Sequence, residues 1–280
     1  MRLSLNTITI RHASLEDKFR LAAEAGFRGI ELWGYEIDES VPAAAVRRLA
    51  QRHDLVIEGI CPQPDLYRWH FSWDRELEDL LDRRCALYGE VGARYLVMPV
   101  MSEEGTERQL VENLARAGRV AARHRVTVAL EPIGHVAKLA SFEKAFAILD
   151  RAEAGQPGIV VDLFHFYRGR NALASLANRD PGRIAAVHLD DALDLPLDEL
   201  VGYRHRVYPG EGIFDVHGFC AALAGIGYAG PYVVELLNER YWSAEPRAVA
   251  IAAHAAARRV LAAVGNTQTR ASAEGGPVDT

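Results

Sequence analysis

Four runs of largely β-branched or aliphatic residues, each with a charged or imidazole side chain at its end, decide the fold: TVALE (127–131), IVVD (159–162), AAVH (185–188) and YVVE (232–235). Short β-branched or aliphatic runs of this kind are typical of buried parallel strands. The intervals between them are long enough for each strand to be followed by a returning helix. The polar residues that close the runs are Glu131, Asp162, His188 and Glu235.

Comparable runs along the rest of the chain predict eight strands, at 3–6, 29–33, 56–60, 95–99, 127–131, 158–162, 184–189 and 231–236. Amphipathic stretches that predict helices lie between them, at 15–25, 75–91, 107–124 and 142–152. Ser14 is a candidate N-cap for the first of these helices. Eight strand–helix units in 280 residues favour a closed barrel over an open doubly wound sheet. We therefore predict a single α/β domain, a (β/α)₈ TIM barrel, over residues 1–265.

The end of the chain differs from the rest. An Ala-rich helix is predicted at 245–264, and the residues after Gly265, NTQTRASAEGGPVDT, are small and polar and cannot form a core. Residues 266–280 are therefore predicted to be a disordered C-terminal tail.

Composition argues against several classes of function. The formal net charge is −6, from 38 acidic and 32 basic residues spread without a Lys/Arg-rich block, so no nucleic-acid or anionic-membrane footprint is visible.

The cysteines Cys61, Cys85 and Cys220 form no C-x-x-C pattern, which indicates a reducing compartment. No glycine-rich nucleotide motif follows a strand, so no nucleotide cofactor is expected. No signal-like segment follows Met1, and we expect a cytoplasmic protein that binds a small molecule.

The polar ends of the four runs are expected to meet. All strands of a parallel barrel end at one face, so residues far apart in sequence converge there. Three carboxylates in one barrel mouth repel one another unless a cation neutralises them, so a divalent metal ion is the simplest compensation. One nitrogen and three oxygen ligands suit Mn²⁺, Mg²⁺, Co²⁺ or Zn²⁺, and the oxygen majority favours the harder ions. Taken singly, each residue is more often a helix N-cap or a salt-bridge partner.

Four longer segments carry a resemblance to a known family: VVDLFHFYRG (160–169), VHLDDALDLPLDEL (187–200), HRVYPGEGIFD (205–215) and YVVELLNERYW (232–242). They resemble the sugar phosphate isomerase/epimerase superfamily with its xylose isomerase-like TIM barrel. Within it they are most similar to 2-keto-myo-inositol (inosose) isomerase-like proteins. The superfamily is catalytically diverse, so the resemblance implies the fold and the metal more firmly than the substrate.

The resemblance implies roles for individual residues. The family's metal ligands match Glu131, Asp162, His188 and Glu235. His165, the second member of D-x-x-H, matches a histidine that contacts a substrate oxygen, although a loop histidine with an internal hydrogen bond is an equal alternative. Arg206, in R-x-x-P-G, matches an arginine that binds a substrate hydroxyl or polarises the reacting oxygen, and its alternative is a surface cation beside the PGEG turn. Self-association as a homodimer or higher homo-oligomer is also implied.

Together these residues predict a divalent-metal-dependent isomerase or epimerase of carbohydrate metabolism. A keto-sugar or keto-cyclitol such as an inosose would bind through its carbonyl and neighbouring hydroxyl, and the metal would stabilise an ene-diolate. Glu131 or Glu235 would remove the carbon-bound proton and the other would return one, with the order left open. No glycine-rich phosphate-binding motif appears at the predicted strands seven and eight, which favours an unphosphorylated substrate.

Three other interpretations stay open at this point. A 3-dehydroshikimate dehydratase-like lyase would use the same metal site and lose a β-hydroxyl group instead of returning a proton. A DNA-repair endonuclease of the same superfamily needs additional histidines after earlier strands, where this chain has GICP (59–62) and VMPV (97–100). The third is a sugar-binding barrel without catalytic activity.

Further side chains near the predicted mouth are weaker candidates. Trp33 is placed to form a pocket wall, and His135 follows Glu131 closely enough to contact substrate. The aromatic stretch 61–74 is predicted to be a lid or a substrate-selecting wall. Glu31 and Glu58 are as often packing or salt-bridge residues, and we leave them out of the predicted site.

Overall fold

The protein is described by a computed structural model that covers residues 2–38, 40–61 and 64–274. The barrel strands are β1 (Arg2–Asn6), β2 (Gly29–Trp33), β3 (Val56–Cys61), β4 (Tyr95–Pro99), β5 (Thr127–Glu131), β6 (Gly158–Asp162), β7 (Ile184–Leu189) and β10 (Pro231–Val234). These eight parallel strands close in the order β1–β10–β7–β6–β5–β4–β3–β2. The predicted (β/α)₈ barrel is confirmed, and all eight strands lie where the apolar runs placed them.

The helices are α1 (Leu15–Ala25), α2 (Ala43–Arg52), α3 (Arg75–Val91), α4 (Glu107–Ala122), α5 (Phe142–Arg151), α6 (Leu163–Arg168), α7 (Val216–Gly225), α8 (Glu239–Trp242) and α9 (Pro246–Glu274). Helix α1 begins at its predicted N-cap, since the Ser14 hydroxyl accepts a hydrogen bond of 3.2 Å from the Asp17 amide. It ends at Gly26, whose φ of 103° suits a residue without a Cβ. In the described ranges no helix is long and apolar enough to cross a membrane.

The final helix is longer than predicted. It continues through Glu274, whereas the sequence predicted an end at residue 264 and a disordered tail from 266 onward. Residues 265–274 contain no proline, and Ala, Gln, Arg and Glu, which occur among them, are residue types with good helix propensity. The rest of the predicted tail, 275–280, lies outside the described residues.

Strand residues alternate between two apolar layers. The inward layer fills the barrel with Cys61, Tyr95, Val97, Ala129, Val160, Ala186 and Val233. Outward side chains such as Leu96 and Leu130 belong to a larger core that includes Phe19 of α1 and Leu114 of α4. Because residues two apart share a strand face, the inward layer continues at the carboxyl ends of the strands into polar side chains. Ala129 is thus followed on the same face by Glu131.

A short antiparallel hairpin between β7 and α7 was not predicted. Its strands, β8 (Asp191–Ala192) and β9 (Arg206–Val207), have two residues each, which is too short for a periodic pattern. The Asp191 carboxylate anchors the hairpin to the turn that follows it, by accepting hydrogen bonds of 2.9–3.1 Å from the backbone amides of Gly210, Gly212 and Phe214. The hairpin places Arg206 beside the carboxyl ends of the barrel strands.

Candidate metal centre

The four residues predicted as metal ligands lie together at the carboxyl ends of their strands. One ligand atom from each falls within 4.8 Å of the others, and all four residues are buried. His188 Nδ1 lies 3.2 Å from Glu235 Oε2, 3.5 Å from Glu131 Oε1 and 3.6 Å from Asp162 Oδ2. The structure therefore brings an imidazole nitrogen and three carboxylates to one point.

The hydrogen-bond partners of the two ring nitrogens of His188 show whether this group of residues fits a metal ion. Its Nδ1 is buried and has no hydrogen-bond partner in the described part of the chain. The other ring nitrogen, Nε2, lies 3.1 Å from Glu31 Oε2, so Nε2 is the nitrogen that carries the proton of the neutral ring. In the neutral ring, the form that binds a metal ion, the Nδ1 lone pair is therefore directed toward the three carboxylates. A carboxylate that orients a ligating histidine in this way is common in metal sites, and the residues present fit a divalent cation.

The electrostatics of the group indicate a deficit of positive charge. Burial is the main cause that raises the pKa of Glu131 to about 7. The negative charges of Asp162 and Glu235 add to the rise, and His188 opposes it. Burial opposes protonation of His188, but the surrounding carboxylates outweigh it and raise the pKa of His188 well above its ordinary value. In the absence of a metal ion the group therefore tends to hold protons, and a bound divalent cation can replace them.

Asp162 has two functions that the sequence analysis treated as alternatives. Its Oδ1 accepts a hydrogen bond of 2.7 Å from the His165 amide and so caps α6. Its Oδ2 faces the centre and accepts a hydrogen bond of 2.7 Å from Arg206 Nη1. Burial would raise the pKa of Asp162, but Arg206 and the nearby histidines outweigh it and hold the pKa far below its ordinary value. The same carboxylate is therefore both a helix cap and a candidate ligand.

Arg206 is buried beside the centre, which excludes the surface-cation alternative. Its side chain is 3 % exposed, and Nη1 contacts Asp162, Asp190 and, at 3.3 Å, Glu235 Oε2. The sequence analysis missed Asp190, a fully buried carboxylate with one oxygen that has no partner in the described residues. Its position two residues after His188, on the same face of the chain, was the available signal.

Three further side chains on the early strands, Glu31, Tyr95 and Asn6, lie behind the centre, although none of them was placed in the predicted site. The buried carboxylate of Glu31 accepts hydrogen bonds from Tyr95 Oη (2.6 Å) and from Asn6 Nδ2. The Tyr95 ring reaches this position because it lies against Gly59, where a Cβ would be 2.1 Å from the ring. Burial opposes ionisation of Glu31, but His188, Tyr95 and Asn6 together lower its pKa. Glu31, left out of the predicted site, therefore lies behind His188 as a charged partner.

A cavity of about 470 Å³ opens above the centre. Glu131 and Glu235 reach it from the metal group, and the predicted substrate-binding residues His165 and Arg206 line it. The weaker candidates Trp33 and His135 line it too, together with apolar side chains that include Met101, Ile133 and Leu237. Glu131, Glu235, His165 and Arg206 thus share one cavity, whereas Asp162 and His188 are not part of its lining.

The stretch 61–74 forms part of the wall of this cavity. Tyr67 lines the cavity, and the segment is fixed by Trp69, whose Nε1 donates a 2.9 Å hydrogen bond to the Pro99 carbonyl. The Trp69 carbonyl in turn accepts a 2.9 Å hydrogen bond from Asn113 of α4. Residues 62 and 63 lie outside the described residues. These contacts suit a substrate-selecting wall.

Comparisons with known proteins agree with this architecture. A family model described as the xylose isomerase-like TIM barrel matches residues 19–260. Inosose isomerase of Bacillus subtilis (strain 168) is 31% identical over 159 residues, which are 54% of this chain and 57% of that protein. A 3-dehydroshikimate dehydratase of Pseudomonas aeruginosa is 28% identical over 262 residues, 90% of this chain and 40% of that protein. The matches thus span little more than half of the first relative and less than half of the second.

Solved structures share the fold. The crystal structure of the IolI protein with a bound zinc atom has a TM-score of 0.83 and 22% identity, over 94% of this chain and 99% of that one. The structure of an L-ribulose 3-epimerase has a TM-score of 0.78 and 17% identity, over 99% of both chains. With a family match over most of its length and the same closed barrel, this chain belongs to the xylose isomerase-like TIM barrel family.

Proposed function

We propose that the protein is a divalent-metal-dependent isomerase or epimerase of a small, unphosphorylated keto-sugar or keto-cyclitol, such as an inosose, that acts through an ene-diolate. The proposal depends most on one observation: His188 Nδ1, which has no hydrogen-bond partner among the described residues, faces three carboxylates below a cavity of about 470 Å³. Inosose isomerases among the relatives and an epimerase among the similar folds support the reaction class.

The residues that would hold the ion are Glu131, Asp162, His188 and Glu235. When bound, a divalent ion supplies Lewis-acid polarisation of the substrate carbonyl and neutralises the charge of the ene-diolate. Mn²⁺, Mg²⁺, Co²⁺ and Zn²⁺ all suit one nitrogen and three oxygen ligands, and the oxygen majority favours the harder ions, Mn²⁺ among them.

Glu131 is the better placed of the two glutamates to remove a carbon-bound proton. Glu235 is held at both oxygens, with Oε1 accepting a 3.0 Å hydrogen bond from Asn6 Nδ2 and Oε2 lying 3.3 Å from Arg206 Nη1. Glu131 also lines the cavity, and its one ion-pair contact in the described residues is His188. We therefore assign proton removal to a Glu131 carboxylate oxygen, and the return of a proton to a Glu235 carboxyl group that carries one at the start of the cycle. Exchange with solvent then removes the proton from Glu131 and restores the one on Glu235.

His165 and Arg206 would position the substrate. Burial, with a contribution from Arg206, lowers the pKa of His165 to about 3, so the ring is neutral. Its Nε2 lies 3.4 Å from Arg206 Nη2 and accepts from that donor, which leaves Nδ1 as the protonated nitrogen. His165 can then donate to a substrate oxygen, while Arg206 keeps Asp162 and Glu235 in place.

A lyase similar to 3-dehydroshikimate dehydratase is the second candidate. It is favoured by the length of the dehydratase match, which covers 90% of this chain. The early chemistry would be the same, because Glu131 would again remove a proton next to a carbonyl. The products distinguish the two candidates, since loss of water creates a conjugated compound that absorbs in the ultraviolet and isomerisation does not.

The test is proton exchange in a variant of the proposed base. We expect Glu131→Gln, at saturating metal, to lose about 10²–10⁴-fold in the rate at which solvent deuterium enters an inosose or ketose, because general base catalysis supplies factors of this size. The exchange is measured by NMR, and circular dichroism checks the fold. Glu143→Gln, which removes an exposed carboxylate on α5, is the matched control with unchanged exchange. Exchange at the parental rate in Glu131→Gln would remove Glu131 from proton transfer.

We also propose a cytoplasmic homodimer or larger homo-oligomer without nucleic-acid or membrane partners. The acidic balance of the chain supports the absence of a nucleic-acid partner, because phosphate contacts require clustered cations. The substrate of the protein would be a free small molecule that enters through the mouth of the barrel.

A further inference from the structure

A second group of metal-ligand side chains lies next to the proposed metal centre. Ligand atoms of Glu31, Cys61 and Glu235 lie within 4.8 Å of one another, and all three residues are buried. We name these three residues the inner group. Glu235 belongs to both groups, since Oε2 lies 3.2 Å from His188 Nδ1 while Oε1 lies 3.9 Å from Cys61 Sγ. Carboxylates placed between two ligand sets in this way bridge the ions of two-metal enzymes.

The amide of Asn6 occupies the space between these three residues. Its Nδ2 donates to Glu31 Oε2 and to Glu235 Oε1 at 3.0 Å, and it lies 3.4 Å from Cys61 Sγ. One NH₂ group, whose hydrogens carry partial positive charge, therefore contacts every ligand atom of the inner group. It stands where a cation shared by two carboxylates and a thiol would lie.

The orientation of this amide is fixed from its other side. Asn6 Oδ1 accepts a 2.9 Å hydrogen bond from the Ile8 amide and another of 2.9 Å from Trp33 Nε1. Both of these groups can only donate. Rotating the amide by half a turn would set its NH₂ group against two donors and its oxygen against two carboxylates. Asn6 therefore cannot offer its oxygen to an ion in the inner group without losing both hydrogen bonds.

We propose that Asn6 restricts the centre to a single metal ion. Its amide nitrogen takes the place of a second divalent cation in the inner group, and it leaves one oxygen of Glu235 for the first ion. This inference rests on the proposed metal centre. Asn6→Asp removes the donor and supplies a fourth ligand of nearly the same shape. A second ion then binds Asp, Glu31, Glu235 and Cys61, and the Cys61 thiol releases its proton to solvent as its sulfur bonds to the ion.

Cobalt titration of the metal-free protein tests this inference. Bound Co²⁺ is counted by equilibrium dialysis with elemental analysis, and thiolate coordination is seen as a near-ultraviolet charge-transfer band. We expect one equivalent and no thiolate band in the parent, and two equivalents with the band in Asn6→Asp. In Asn6→Asp/Cys61→Ser the band disappears, which assigns it to Cys61.

Each outcome bears on a separate statement. One equivalent and no band in folded Asn6→Asp overturns the role of Asn6. If the added charge prevents Asn6→Asp from folding, Asn6→Ala replaces it, because it empties the same space without adding charge. We expect a second equivalent of cobalt and the thiolate band in Asn6→Ala. One equivalent and no band in folded Asn6→Ala would overturn the role of Asn6. Two equivalents with the band in the parent overturn the inference and leave the metal centre standing. A parent that binds no cobalt overturns the metal centre itself.

Discussion

Glu31 on β2 and Glu58 on β3 are both fully buried, but they lie at different ends of the barrel. Glu58 is near the starts of the strands, where it accepts hydrogen bonds from Arg2 Nη2 (2.8 Å) and Ser4 Oγ (2.9 Å). Glu31 is near the strand ends, where its partners are Tyr95, Asn6 and His188. The first carboxylate is neutralised by an arginine of the chain, whereas the second is held by neutral donors and an imidazole.

This difference shows that burial alone does not mark a functional carboxylate. At the Glu58 end the negative charge has its own guanidinium, which is the usual arrangement of a buried ion pair. At the other end one arginine, Arg206, contacts three carboxylates, and further buried acids surround His188. Positive charge from outside the chain is required only at the second end. Counting the cations that face each buried acid therefore separates the structural end from the functional one.

The largest expected effect lies at the structural end. Glu58→Gln should lower the free energy of unfolding by about 3 kcal/mol, the lower end of the range for breaking a buried ion pair, because Arg2 is partly exposed and can turn to water. Urea unfolding measures the loss. The cobalt dissociation constant should stay within about twofold of the parent, and a tenfold weakening would show that the two ends are not independent.

At the functional end the corresponding change acts on the metal. Glu31→Gln should weaken divalent-metal binding by about 10–100-fold, because the charged partner that orients His188 and increases its basicity is lost. Isothermal titration calorimetry gives the affinity, and Glu143→Gln serves as the control for removing one carboxylate. Parental affinity in Glu31→Gln would mean that His188 does not depend on this contact.

The smallest expected effect is a pH dependence confined to the functional end. In the metal-free protein, burial raises the pKa of Glu131 to about 7 from an ordinary value of 4.5, so the folded state binds more protons than the unfolded state between these values. Stability then falls as pH rises through this range, and the raised pKa of His188 acts in the same direction. We expect a loss of the order of 1–2 kcal/mol between pH 5 and pH 7, measured by urea unfolding in a chelator.

Saturating Mn²⁺ should abolish this pH dependence, because the ion replaces the protons. Glu131→Gln without metal should show a smaller slope than the parent. A metal-free parent that becomes more stable from pH 5 to pH 7 would contradict the charge balance described for this end.

The strands and the four candidate ligands were accessible to sequence reasoning for a local reason. Strands buried on both sides are continuous apolar runs, and a polar residue at the end of such a run stands out, as Glu131 does after TVAL. Parallel closure then brings the ends of the runs together. The length of α9 was underestimated because a polar sequence was interpreted as unable to form a core, although polar residues with adequate helix propensity can extend an existing helix.

The residues that support the ligands gave weaker signals. Glu31 is enclosed within a strand, and its sequence neighbours do not tell whether its partner is an arginine, as for Glu58, or a histidine. Asn6 and Asp190 matter through contacts with residues far along the chain, such as Glu235 at 3.0 Å from Asn6. Arg206 depends on a hairpin with two residues per strand, which is fixed by Asp191 and not by a periodic pattern.

The amino-acid sequence by itself determined the closed barrel, the order of its elements and the four side chains at the strand ends, because these follow from local periodicity and from the parallel geometry that it imposes. Only the tertiary structure decided which buried acids lack a cation of their own, which nitrogen of His188 is free, and that Asn6 separates Glu31 from Glu235. These properties depend on distances between residues far apart in the chain, and the electrostatic energy of a buried charge is set by those distances.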